Sequence, residues 1–163
     1  MTRLERKIRC VIQHYNPSRY WRYRDACLKY RGGGLFNKVL CFIKLFYIKR
    51  CDAFNNASLG SHISYGAKFG SIPSFPHGLY GIVVSHNAEI GKNCVIFQNV
   101  TIGEGNGGAP VIGDNCFIGA NAIVIGNIKV GNNVKIGAGT VVSVDVPDNS
   151  TVVGCKCRII EHD

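Results

Sequence analysis

The feature that most constrains this chain is a repeat of six residues. Taking every sixth position from Val84 gives Val84, Ile90, Ile96 and Ile102; after a four-residue insertion the series resumes with Ile112, Ile118, Val124, Val130, Ile136 and Val142. Every member is Ile or Val. The next position is glycine at Gly91, Gly103, Gly113, Gly119, Gly131 and Gly137. The position four after each aliphatic is mostly small: Ala88, Cys94, Val100, Cys116, Ala122, Val134 and Thr140. A period of six is neither the 3.6 of an α-helix nor the simple alternation of a lone strand. It describes a short strand and a turn, repeated three times per coil, with one aliphatic per strand pointing to a shared axis. Such coils bury their interior only against each other, so the pattern predicts a mainly β solenoid. Cys94 and Cys116 fall on the small inward position, which reads them as core residues and not as reactive thiols.

The chain ahead of the repeat has a different character. Residues 1–58 read as a basic helical segment and 59–163 as the β domain with its C-terminal tail. Thr2 and Glu5 fit a capping box, with Leu4, Ile8, Val11 and Ile12 on one helical face. Asn16-Pro17 stops that helix and can begin another through the aromatic, basic stretch to Arg31, which Gly32-Gly33-Gly34 ends. From Leu35 to Arg50, Phe36, Val39, Leu40, Ile43, Phe46 and Tyr47 recur at helical spacing beside Lys38, Lys44 and Lys49, as in an amphipathic helix. Its apolar face can pack on the domain that follows, or dock on a membrane surface.

Charge follows the same division. Residues 1–50 hold thirteen Lys and Arg against only Glu5 and Asp25, a net +11, and the other 113 residues carry a net −2. The overall +9 is therefore a property of the N-terminal segment, where any anionic partner should be met. Peripheral contact with the inner face of the membrane fits that field; a nucleic-acid partner is not expected. Length and hydrophobic content suit one main domain with a small appendage. The eight cysteines include no C-x-x-C pair, and Cys155-Lys-Cys157 is too tight for a zinc knuckle, so no metal is expected. The start shows no signal-peptide pattern, and the longest apolar stretch, Val39 to Ile48, is broken by Lys44. A cytoplasmic protein is the expectation.

Ile90-Gly-Lys-Asn-Cys-Val, Ile112-Gly-Asp-Asn-Cys-Phe, Val130-Gly-Asn-Asn-Val-Lys and Ile136-Gly-Ala-Gly-Thr-Val resemble the hexapeptide-repeat acyltransferases. The resemblance covers roughly the C-terminal two thirds of the chain. It implies a left-handed parallel β-helix, a homotrimer, and acetyl-CoA bound in a groove between neighbouring subunits. The handedness comes from the resemblance alone, because left-handed crossovers break the usual rule for parallel strands. Phe75-Pro-His77-Gly-Leu-Tyr-Gly-Ile-Val-Val84, with Ile96-Phe-Gln-Asn-Val-Thr-Ile-Gly103, is similar to the serine acetyltransferase branch. It is more similar still to short members that O-acetylate capsule and other surface sugars. In that branch the His before Gly-Ile-Val is the catalytic base, which implies that role for His77. The groove is lined by coil backbones near the C-terminal turns, which implies Gly119, Ala120, Gly137 and Ala138, with Lys156 and Arg158 facing the phosphates.

Four departures bear on this reading. Pro76 stands where serine acetyltransferases carry Asp, residues 104–111 lack their Arg-His pair, and the segment ahead of the coil is short. These point to an acceptor without an amino acid's charges, so a saccharide O-acetyltransferase is the expectation, with serine a poor substrate. The position of the Asp that orients the catalytic His is taken by His62; either His62 orients His77 or another acceptor does.

Transfer from a thioester to an alcohol needs a base for the hydroxyl proton and donors for the oxyanion that forms. Imidazole suits the first task near neutral pH and bare glycine turns suit the second. Alternatives are a serine O-acetyltransferase, a xenobiotic acetyltransferase of the same fold, and a non-catalytic trimeric scaffold. His86 reads as a surface or subunit-contact residue.

Overall fold

A computed structural model describes residues 10–11, 14–105 and 107–154. The expected capping box at Thr2 and Glu5, the tight pair Cys155 and Cys157, and the groove candidates Lys156 and Arg158 lie outside the described residues.

Among the described residues, the six-residue repeat builds twelve short strands: β1 Lys68–Phe69, β2 Val83–Val84, β3 Glu89–Ile90, β4 Val95–Ile96, β5 Thr101–Gly103, β6 Val111–Ile112, β7 Phe117–Ile118, β8 Ile123–Ile125, β9 Lys129–Val130, β10 Lys135–Ile136, β11 Val141–Val142 and β12 Thr151–Val152. They pair in parallel as three four-stranded sheets, β1-β3-β6-β9, β4-β7-β10-β12 and β2-β5-β8-β11. The chain visits the sheets in rotation, so the product is a three-sided parallel β-helix. All ten aliphatics of the repeat point inward, with at most 3% of their surface exposed. Columns form because the register is exact from coil to coil: Ile96 pairs with Ile118 and Ile118 with Ile136. The small positions are also interior: Ala88, Cys94, Val100, Cys116, Ala122, Val134 and Thr140 are all buried. A hydrogen bond with Cys116, together with burial, holds the Cys94 thiol well above its usual range, consistent with a core role.

Turn chemistry closes each corner. Asn93, Asn99, Asn115, Asn121, Asn133 and Asn149 adopt left-handed backbone with φ between 56° and 59°, a conformation Asn tolerates better than other side-chain-bearing residues. They stack, with Asn93 donating to Asn115 at 3.3 Å and Asn133 to Asn149 at 2.9 Å. At Gly113 the next coil approaches so closely that a Cβ would lie 2.8 Å from the carbonyl carbon of Gly131.

Among the described residues, helix α1 over Pro17–Leu28 and helix α2 over Leu35–Phe54 precede the coil. Asn16 caps α1 by accepting from the Arg19 N–H at 3.0 Å, and Pro17 supplies a pre-set first turn. Tyr20, Trp21 and Cys27 of α1 join Cys41, Ile48 and Cys51 of α2 and the coil interior in one core. The junction is polar as well. Arg24 is buried and donates to Ser61 Oγ at 2.9 Å and to the carbonyls of Leu59 and Ala67, while its guanidinium lies over the rings of Trp21 and Phe69. Tyr20 donates to Asp52 at 2.7 Å. The packing alternative for α2 therefore holds for one face only: Leu35, Phe36, Val39, Phe42, Ile43 and Phe46 remain exposed.

Candidate active site

Ser74 bridges to Val95, so Phe75-Pro76-His77 leaves the sheet of β4 and rounds the corner toward β2. His77 projects to solvent there, its ring 5.7 Å from Phe97, which in turn lies 5.1 Å from Phe117. Since Ile96, Ile118 and Ile136 are in register, the residues that follow them stack in this same corner: Phe97, Gly119 and Gly137, then Gln98, Ala120 and Ala138. Backbone hydrogen bonds fix the stack. Phe97 N–H donates to Ile118 at 3.0 Å, Gly119 to Ile136 at 2.8 Å, and Gly137 to Val152 at 2.8 Å. A Cβ at Gly119 would come within 2.6 Å of the Ala138 nitrogen, so only glycine fits. Beyond Phe97 and Gln98, the described residues of the corner, Gly119, Ala120, Gly137 and Ala138, offer peptide edges and methyl groups. The structure brings His77, Gly119, Ala120, Gly137 and Ala138 to one corner of the coil.

His62 is not part of it. Gly60, at φ +56°, lies directly over the backbone of His86, where a Cβ would be 2.8 Å from the His86 Cα. This puts His62 on the corner between the sheets of β2 and β1. Its ring stacks on Tyr65 at 4.6 Å and meets His86 edge-on at 5.8 Å. An orienting hydrogen bond from His62 to His77 within one chain is ruled out, because the coil carries the two side chains to different corners. Burial, helped by the nearby charges of Lys49 and His86, holds the His62 pKa below its ordinary value.

A second histidine corner therefore exists, and its partner residues had not been singled out from the sequence. Glu104 accepts from the Ser85 hydroxyl and from Asn87 Nδ2 at 2.8 Å, and His86 Nδ1 lies 3.9 Å away. The Ser85 hydrogen bond is the main reason that Glu104 titrates below its usual range. A signal for this cluster was present: Val84 pairs with Ile102, one coil of eighteen residues, and the same step carries His86 to Glu104. Beside this corner a cleft of about 1040 Å³ opens between α1 and the first coil, lined in part by Trp21, Arg22, Arg31, Tyr65, Lys68 and His86.

Residues 109–143 match the family described as bacterial transferase hexapeptide (six repeats). With the three-sided parallel coil, this makes the fold that of the hexapeptide-repeat acyltransferases. Serine acetyltransferases are among the proteins this chain is similar to. That of Staphylococcus aureus (strain Mu50) is 44% identical over 108 residues, covering 64% of this chain and 50% of the relative. That of Bacillus licheniformis is 44% identical over 105 residues, covering 62% and 48%. Of solved structures, serine acetyltransferase from Neisseria gonorrhoeae in complex with serine superposes with TM-score 0.58 at 37% identity, over 77% of this chain and 51% of the other. The soybean enzyme complexed with serine superposes with TM-score 0.61 at 35% identity, over 85% and 54%. The chain spans about half the length of the curated relatives it matches.

These findings overturn the expectation of a saccharide acceptor. It rested on groups that are missing at Pro76 and in residues 104–111, and the loss of one way to hold an amino acid does not identify another acceptor. Relatives at 44% identity and structural neighbours with serine bound favour the serine alternative.

Proposed function

We propose that this chain is an acetyl-CoA-dependent O-acetyltransferase whose acceptor is the hydroxyl of serine. The observation that carries the reading is the shared corner: a solvent-facing imidazole, His77, at the head of the strip formed by Gly119, Ala120, Gly137 and Ala138. An extended pantetheine chain needs peptide edges for its amides and room for its methylenes, and the strip supplies both. The thioester supplies an activated acetyl group, so no acyl-enzyme is required. A neutral His77 ring nitrogen accepts the serine hydroxyl proton as the oxygen attacks the thioester carbonyl. Backbone N–H groups of the corner receive the negative charge on that carbonyl oxygen. When the C–S bond breaks, the proton on the imidazolium passes to the departing thiolate, and the base is restored.

We further propose a homotrimer. A single coil walls a corner site on one side only, and the sheet β2-β5-β8-β11 presents Val83, Ile125 and Val141 outward, apolar surface of the kind a neighbouring copy covers. A neighbour is also the remaining route by which a His62 corner could approach His77.

The test is release of free thiol from acetyl-CoA with and without L-serine, with O-acetylserine identified by mass. Serine-dependent release is expected. A folded, assembled protein that releases no more thiol with serine than without it would refute the proposal. A monomer in light scattering at assay concentration would refute the trimer.

A further inference from the structure

Helix α2 carries two apolar faces. Cys41, Ile48 and Cys51 pack inward, with Leu45 and Tyr47 half-buried beside them. On the opposite side Leu35, Phe36, Val39, Phe42, Ile43 and Phe46 follow a helical spacing and face solvent; Phe36 is 79% exposed, Phe42 52% and Phe46 73%. Arg50 is exposed on this stripe, and Lys38, exposed, and Lys49, half-buried, flank it. Three such phenylalanines on one helix face cost free energy in water and mark a surface that something covers.

Charge selects the occupant. The segment through residue 50 is net +11, and the two carboxylates of α1 and α2 are both engaged: Asp25 pairs with Lys29 at 3.0 Å and Asp52 is buried against Tyr20. A second copy would set this positive surface against itself. An anionic lipid surface offers acyl chains to the stripe and phosphates to its basic rim. No helix among the described residues is long and apolar enough to cross a membrane, which leaves a helix lying in the interface. We propose that α2 docks this protein on an anionic lipid surface, with Phe36, Phe42 and Phe46 inserted and Lys38, Lys49 and Arg50 at the headgroups. The inference is independent of which acceptor the coil uses.

The experiment is co-sedimentation of the full chain with vesicles of phosphatidylcholine alone and of equimolar phosphatidylcholine and phosphatidylglycerol, at low and high salt. Partition into the anionic vesicles, weakened by salt, is expected. The triple variant Phe36→Ser, Phe42→Ser, Phe46→Ser should lower it by at least about tenfold, and Lys38→Glu with Arg50→Glu should lower it on anionic vesicles. These side chains face solvent, so circular dichroism should be unchanged. Three results would each overturn the inference: no partition of the wild-type chain into anionic vesicles, undiminished partition of the triple variant, or equal partition into neutral vesicles. A triple variant whose only change is a smaller assembly in light scattering would show that a second copy covers the stripe.

Discussion

The coil and the helices in front of it are held by different kinds of contact. In the coil one contact is repeated: an inward Ile or Val on another Ile or Val one coil away, with Asn or Asp closing the corners, as where the Lys92 N–H donates to Asp114 at 2.7 Å and the Asn132 N–H to Asp148 at 2.8 Å. In the helices each contact occurs once. Arg24 reaches Ser61, Leu59 and Ala67, Tyr20 reaches Asp52, and Trp21 donates to Tyr15 at 2.9 Å. A repeated contact spreads its energy over many equivalent positions, whereas a single polar contact concentrates it on a few residues. Chemistry and stability should therefore respond differently in the two regions.

The largest effect should come from the coil and should fall on turnover alone. His77→Ala is expected to lower the rate of acetyl transfer by about 10²- to 10⁴-fold, the usual contribution of a positioned base. Acetyl-CoA binding should survive, since its proposed contacts lie on the backbone strip. Single-turnover kinetics and equilibrium binding on the same preparation separate the two. Full activity in a folded His77→Ala assembly would remove the base from this corner.

Next comes the junction. Arg24→Ala removes a buried guanidinium and leaves Ser61 Oγ and the Leu59 and Ala67 carbonyls without that donor. A loss of about 3–5 kcal/mol is expected in urea denaturation. If the difference between the regions holds, the helices should come off at lower urea than the coil, and two probes, near-ultraviolet absorbance of Trp21 and far-ultraviolet circular dichroism, should separate. A loss below about 1 kcal/mol would mean that the junction is as redundant as the coil.

What could be read from the sequence follows the same line. All ten hexad aliphatics and the two inward cysteines were found because each is confirmed by a neighbour six residues away. Helix α2 was read from its spacing, although it runs four residues beyond Arg50, to Phe54. Arg24, Tyr20 and Asp52 gave no periodic signal; their partners lie 32 to 43 residues away along the chain, and nothing local marks them as buried. In the site, the family resemblance named His77, Gly119, Ala120, Gly137 and Ala138, and the coil register made their placement at one corner legible. The separation of His62 from His77 was not, since it depends on the long first coil, in which Ser58 pairs with Val83 across residues 75–82. The acceptor was misread because it was argued from missing groups.

Asp52 provides a pH test of the junction. Burial raises its pKa from the usual 3.8 to about 6, with the Tyr20 hydroxyl, Lys49 and Arg24 opposing the rise. The folded state therefore binds this proton more tightly than the unfolded chain. The stabilisation is complete below about pH 4 and is lost as pH rises toward about 6, worth about 3 kcal/mol in all. Other carboxylates can mask the trend in the wild type, so the comparison is with Asp52→Asn, which keeps an acceptor for Tyr20. Urea midpoints should show the variant gaining on the wild type between pH 4.5 and pH 7.5. A constant difference across that range would mean that the carboxylate is not desolvated.

The smallest effect should come from the coil's own column. Ile96, Ile118 and Ile136 are stacked and fully buried, whereas the β2-β5-β8-β11 column already uses Val at Val84, Val124 and Val142 beside Ile102. Since the coil accepts either residue at equivalent positions, Ile118→Val removes one methylene without changing shape at the backbone, and a loss of about 0.5–1.5 kcal/mol is expected. The reverse change, Val124→Ile, places Ile on Ile102 as Ile118 already sits on Ile96, and should cost no more than about 1 kcal/mol, the low end for an added methylene. Thermal denaturation of both variants, read against Arg24→Ala, ranks the two regions directly. If Ile118→Val cost as much as the loss of the Arg24 guanidinium, the coil would be no more tolerant than the junction, and the repeated contact would not be spreading its energy.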